Sequence, residues 1–176
     1  RGIRTLVLAP TRELAVQIAD SFRDYGKNIG IKYCVIYGGV SQHTQTAALR
    51  RGCDIVVATP GRLLDLMNQG FVKLNNVEFL VLDEADRMLD MGFINDINKI
   101  VDTTPKNRQT LFFSATVPYE IKKLATSMLT KPVTVEVKAD TAAKAAIEQS
   151  VYFIDKSYKR ELLCKLIETQ NMQQAL

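Results

Sequence analysis

Six short apolar runs, at residues 5–9, 33–37, 55–58, 79–82, 111–113 and 133–137, recur along the chain with helix-length segments between them. Most of these runs lack the polar-apolar alternation of a strand with one wet face. A continuously apolar strand needs cover on both faces, and helices alternating with such strands supply it. The pattern predicts an α/β fold, a doubly wound and mostly parallel sheet. The helices announce their starts. Thr11 follows Pro10, Thr59 precedes Pro60, and Pro118 opens a helical segment over residues 118–129 after Thr116. Threonine caps orphan N–H groups, and proline suits a first helical turn.

With 176 residues, 47% of them hydrophobic, the chain can fill one ordinary core and a little more. Residues 138–146 hold five alanines, mixed charge and no large apolar side chain, so 138–148 reads as a linker. It separates a partial domain over residues 1–137 from the beginning of another over 149–176. In the second, residues 150–154 predict a strand, and 156–168 an amphipathic helix bearing Leu162, Leu163, Leu166 and Ile167. The chain opens on Arg1 and stops in a polar run, so both ends read as cut.

No apolar stretch approaches the roughly 18 residues that cross a bilayer, and the expectation is a soluble, cytoplasmic protein with no membrane partner. Cys34, Cys53 and Cys164 are far apart in sequence and form no CxxC pair, which predicts neither a disulfide framework nor a zinc site but packed, reduced thiols. A net charge of +4 favours a polyanionic partner only weakly. His43 has no second imidazole or nucleophile near it and reads as a surface helix residue.

Asp83 and Glu84 directly follow the buried run Phe79-Leu80-Val81-Leu82. An open α/β sheet binds its ligands at the carboxyl ends of its strands, where this pair would lie. A hard cation bridging nucleotide phosphates takes one or two carboxylates plus water, and an adjacent acid can polarise an attacking water. Asp83 is the expected Mg²⁺ ligand, through water or directly, and Glu84 the acid that acts on the water. Acids after a strand also serve as plain helix caps facing solvent. The full string is Asp83-Glu84-Ala85-Asp86, and a given tetrapeptide arises by chance at on the order of one position in 10⁵.

That string resembles the signature of the DEAD-box RNA helicases, and further strings resemble that family's motifs in the family's order. Pro10-Thr11-Arg12-Glu13-Leu14-Ala15 is similar to motif Ia, Gly38-Gly39 to the GG element, Thr59-Pro60-Gly61-Arg62-Leu63-Leu64-Asp65 to motif Ib, and Ser114-Ala115-Thr116 to motif III. The continuations Arg87-Met88-Leu89-Asp90-Met91-Gly92-Phe93 and Arg108-Gln109-Thr110-Leu111-Phe112-Phe113 look most like the bacterial RhlE branch. The resemblance implies most of a first RecA-like domain and the first strand and helix of a second. It also implies ATP with Mg²⁺ as cofactors, and RNA unwinding or RNP remodelling coupled to ATP hydrolysis. Ser114 and Thr116, with Asp86 as bonding partner, carry that coupling by resemblance.

The residues themselves agree. Thr11 and Thr59 stand at strand-to-helix junctions, where free N–H groups and a positive helix end favour phosphate. Gly38, Gly39 and Gly61 allow close approach of a nucleic-acid backbone, and Arg12 and Arg62 add positive charge. With Pro10, Glu13 and Pro60 these form the expected RNA track, reading backbone rather than bases. Binding would then tolerate sequence and respond to salt.

One expected motif is not in the sequence. A Gly-rich G-x-x-x-x-G-K-[ST] loop holds phosphates in nucleotide-hydrolysing members, but the single Gly-Lys pair, Gly26-Lys27, precedes Asn28 and has Ser21 where the first Gly would stand. That loop is expected before Arg1, and the second domain's arginine motifs after Leu176. The chain alone is therefore expected to hydrolyse ATP negligibly, to leave a central sheet position unfilled and to dissolve poorly. Two other readings are a non-catalytic RNA-binding remnant of a truncated gene, and a metal-dependent hydrolase using Asp83, Glu84 and Asp86 without nucleotide.

Overall fold

Five of the six apolar runs form strands in the computed structural model, which describes residues 2–137, 149–170, 172 and 174. They are β1 (Thr5–Leu8), β2 (Tyr33–Ile36), β3 (Ile55–Ala58), β4 (Phe79–Leu82) and β5 (Gln109–Phe112). All pairs are parallel, in the order β2-β3-β1-β4-β5. The helices between them are α1 (Arg12–Tyr25), α2 (His43–Arg51), α3 (Pro60–Asn68), α4 (Ala85–Asp90) and α5 (Ile94–Asp102), with α6 (Tyr119–Met128) after β5. The doubly wound α/β architecture is thus the observed one.

The register positions the site. Leu8 is level with Ala58 and Leu82, Ala58 with Ile36, and Leu82 with Phe112. Hence Ala9, Tyr37, Thr59, Asp83 and Phe113 leave the sheet along one common edge. On one face Leu6, Leu8, Ile36, Val56, Leu80 and Leu82 pack with Leu63, Leu66, Met88, Ile97, Ile100 and Ile121 from α3 to α6. Each such side chain contributes about 1.5–3 kcal/mol when fully buried. On the other face Val7, Ala9, Ile55 and Val57 close against Ala15 and Ala19 of α1.

Several expectations need correction. The sheet has no internal gap: its strands pair continuously, and it is β5 that ends it, with a half-exposed burial pattern rather than the buried one expected. Alternation along β4 and β5 puts Phe79 and Phe113 on the α1 face, where they remain 39% and 51% exposed. The shortfall in cover therefore lies at this end of the sheet and not in its middle.

The sixth run forms no strand. Val133, Val135 and Val137 are 85–91% exposed and no neighbour pairs with them among the described residues. Apolar, β-branched residues favour a ladder only where a partner strand offers one. Residues 150–154 likewise form no strand, and Phe153 is 97% exposed. The chain divides into Arg1–Val133 and Thr134–Leu176. The second unit contains a 3-10 turn at Lys156–Tyr158 and a helix, α7 (Lys159–Thr169). The predicted linker at 138–148 lies outside the described residues.

No helix among the described residues is long and apolar enough to cross a membrane. Cys34 and Cys53 are buried in one cluster and Cys164 is exposed. A hydrogen bond shared with the Cys34 thiol, together with burial, pushes the Cys53 thiol well above the ordinary range. His43 is an exposed residue at the start of α2, as expected.

Candidate functional site

The chain leaves β4 through Asp83 and Glu84 and enters α4 at once. Two backbone hydrogen bonds fix this corner: Asp83 N–H donates to the Leu8 carbonyl at 3.0 Å, and Ala85 N–H to that of Phe113 at 3.0 Å. Glu84 occupies the left-handed region, with φ 49° and ψ 53°. A non-glycine residue there is strained, and such strain persists only where the surroundings hold it, often at functional sites. The Asp83 carboxylate accepts the Glu84 N–H at 3.0 Å, and the Glu84 carboxylate pairs with Arg87 at 3.2 Å. Both acids are half-buried.

Asp86 faces the segment after β5. Its Oδ2 accepts from both the Thr116 N–H and the Thr116 hydroxyl, each at 2.8 Å, and its Oδ1 accepts the Arg87 N–H at 3.0 Å. Ser114 Oγ accepts the Asp86 N–H at 3.3 Å and donates to the Thr116 carbonyl at 2.6 Å. Burial alone would raise the Asp86 carboxyl, but the hydrogen bonds from Thr116 and Arg87 outweigh it and hold the group below the usual aspartate range. The expected contact between motif III and the acids is thus present. Thr116 bonds Asp86 across 30 residues of sequence, which leaves its hydroxyl no part in starting α6; Pro118 takes the cap position instead.

Glu84, Asp86, Arg87, Asp90 and Ala115 line an open cavity of about 220 Å³ at this corner. Among the described residues no group of three or more His, Cys, Asp or Glu side chains is arranged to hold a metal ion. Asp86 is already engaged by Thr116 and Arg87. A metal hydrolase built on all three acids therefore has no support in the geometry.

The predicted RNA-track residues line the same edge, with different fates. Thr11 caps α1, its hydroxyl accepting the Leu14 N–H at 3.2 Å, while Arg12 and Glu13 are exposed in the first turn. Thr59 opens α3 without a side-chain cap bond, so the predicted capping role holds for Thr11 only. Pro10 and Pro60 are buried and set local backbone geometry. Gly38 is exposed, and Gly39 needs its lack of Cβ, with φ +77°. A Cβ at Gly61 would meet Phe93 at 3.8 Å, an ordinary contact, so packing alone does not demand glycine there.

Arg62 departs from expectation most. Its side chain is only 16% exposed, and it donates from Nη2 to the Val40 carbonyl at 3.1 Å while approaching Asp65 at 3.7 Å. Most of this guanidinium is turned inward. Two residues that no motif singled out stand beside the predicted track: Tyr37, whose ring lies 4.8 Å beneath the Arg12 guanidinium carbon, and the buried Gln45, which bonds the Tyr37 backbone. The one sequence signal for Gln45 was an amide on an otherwise apolar-facing helix position eight residues after Tyr37.

Residues 1–124 match the DEAD/DEAH box helicase family. Among curated relatives, the ATP-dependent RNA helicase DBP2 of Candida glabrata is 47% identical over 169 residues, covering 96% of this chain and 31% of its own length. The DEAD-box ATP-dependent RNA helicase CshA of Bacillus subtilis is 41% identical over 175 residues, covering 99% and 35%. Among solved structures, a DEAD box protein from the hyperthermophile Methanococcus jannaschii superposes with a TM-score of 0.76 at 42% identity, over 96% of this chain and 45% of that one. The chain spans about a third of the length of the curated relatives it matches.

Proposed function

Since this chain belongs to the DEAD/DEAH box helicase family, we propose that it supplies the water-activating acids, the coupling contact and part of the RNA track of an ATP-dependent RNA helicase. The observation that carries this reading is the single sheet edge on which Asp83 and Glu84, the Asp86–Thr116 contact, and the Thr11, Gly39 and Thr59 turns all stand. An ATP site and an RNA track on one edge can be coupled by the segment that touches both.

Asp83 fits a magnesium ligand. One of its oxygens is engaged by the Glu84 N–H, and the other has no protein partner among the described residues. A magnesium ion bound with ATP supplies neutralisation of phosphate charge. Glu84, held by its left-handed backbone, orients and deprotonates the attacking water. Asp86, through Thr116, ties this corner to the segment after β5 and so transmits nucleotide state.

Arg12, Gly38, Gly39 and the junctions at Thr11 and Thr59 follow an RNA backbone without reading bases. The chain alone lacks a G-x-x-x-x-G-K-[ST] loop, so hydrolysis belongs to the polypeptide that joins this segment to such a loop and to arginines from a second RecA-like domain. The placement beside the RhlE branch rests on the strings after Asp86 and before Ser114 alone.

The RNA reading is tested by titrating fluorescent single strands of different sequence at several salt concentrations. Affinities within a few-fold across sequences are expected, falling with log salt at about −0.7 per phosphate contacted. Strong preference for one sequence, or binding indifferent to salt, counts against it.

A further inference from the structure

The three RNA-track strings are joined through one short loop. Beyond β2, Tyr37 would normally lose its ladder partners, yet the buried side chain of Gln45 replaces them. Its Oε1 accepts the Tyr37 N–H at 3.2 Å, and its Nε2 donates to the Tyr37 carbonyl at 3.0 Å. Gln45 is 7% exposed, so this amide is a built part of the fold and not a surface contact. The Tyr37 backbone is thereby fixed, and with it the origin of its ring.

That ring lies beneath Arg12, with the guanidinium carbon 4.8 Å from its centroid. No carboxylate pairs with Arg12 among the described residues. The distinction matters chemically. A salt bridge would orient the guanidinium but spend its charge, whereas an aromatic face orients it and leaves charge and N–H donors available to a phosphate. On the far side of the Gly38-Gly39 turn, Arg62 Nη2 donates inward to Val40, while its Nη1 has no partner among the described residues.

We propose that Tyr37 and Gln45 are positioning residues for RNA: Gln45 fixes Tyr37, and the Tyr37 ring presents Arg12 to a backbone phosphate. The inference rests on the RNA-track reading above. It deepens that reading by naming the residues that hold the binding arginine in place.

The test is a double-mutant cycle in the full polypeptide, measuring affinity for a fluorescent single-stranded RNA across a salt series. Arg12→Gln is expected to weaken binding and to reduce the salt slope by about 0.7, one phosphate contact. Tyr37→Leu should weaken binding about threefold, the scale of an exposed cation–π contact, and Tyr37→Phe, which keeps the ring face, should restore it. In an Arg12→Gln background Tyr37→Leu should have no further effect; the cycle cancels any general loss of stability.

Gln45→Leu should mimic Tyr37→Leu. If Tyr37→Leu acts equally with and without Arg12, or Phe fails to rescue, the positioning role is wrong while the RNA track stands. If Arg12→Gln changes neither affinity nor slope, the track reading fails and the proposal with it.

Discussion

Replacing Glu84 with glutamine is expected to lower RNA-stimulated ATP turnover by about 10²–10⁴-fold, the usual contribution of a positioned acid-base group. Glutamine matches glutamate in shape and keeps the corner between β4 and α4, whose backbone bonds do not involve the side chain. It cannot accept a proton from water. It also removes half of the Arg87 pair, but that pair is exposed, and such pairs contribute little to stability. The thermal melt should therefore barely move while turnover collapses. Phosphate release at saturating ATP and RNA measures this, and a fall of less than tenfold would leave Glu84 as a helix-terminal acid without catalytic work.

Asp86→Ala should separate ATP turnover from strand separation. The carboxylate gathers three donors, two of them from Thr116, and its removal frees the segment after β5 from α4. Hydrogen bonds to a charged group contribute about 1.5–3 kcal/mol when well formed; discounted for partial exposure, about tenfold less duplex unwound per ATP is expected. Acid should act in the same direction. The folded Asp86 carboxyl titrates below its unfolded value, so the contact is fully present above that unfolded value, about 3.9, and is lost as pH falls through the depressed one. Unwinding yield per phosphate released is the measurement. An unchanged ratio in Asp86→Ala would assign the Asp86–Thr116 contact to local stability alone.

How much of this was legible in sequence depends on how local each feature is. Continuous apolar runs named five strands because burial on both faces writes itself into adjacent residues. Residues 133–137, Val133-Thr134-Val135-Glu136-Val137, alternate instead, as a strand with one wet face would, but whether a partner strand exists is not written in the run itself. Sheet order is equally invisible, since β1 pairs with β3 and β4 and not with β2. That is why a gap was expected in the middle of the sheet, where the structure has an exposed end at β5. Asp83 and Glu84 were found because they are adjacent and follow a buried strand, and Asp86 through the resemblance of Asp83-Glu84-Ala85-Asp86 to a family signature.

The different settings of the two arginines were not legible. Arg12 and Arg62 each follow a strand and open a helix, yet one is exposed over a ring and the other is turned into the protein. The difference is set by Tyr37 and Val40, residues 25 and 22 positions away from the arginines they meet, and by an amide, Gln45, that carries no motif. Cys34 and Cys53 tell the same story: far apart in sequence, they become neighbours because β2 lies beside β3.

The most direct measurement is ATP hydrolysis, with and without RNA, by the polypeptide in which this segment is joined to a Gly-rich Lys loop and a second RecA-like domain. An ATP-dependent RNA helicase requires hydrolysis that rises several-fold on adding RNA of any sequence and disappears in Glu84→Gln. Salt-sensitive RNA binding with no nucleotide turnover under any condition would contradict that, and would make this edge of the sheet a binding surface only.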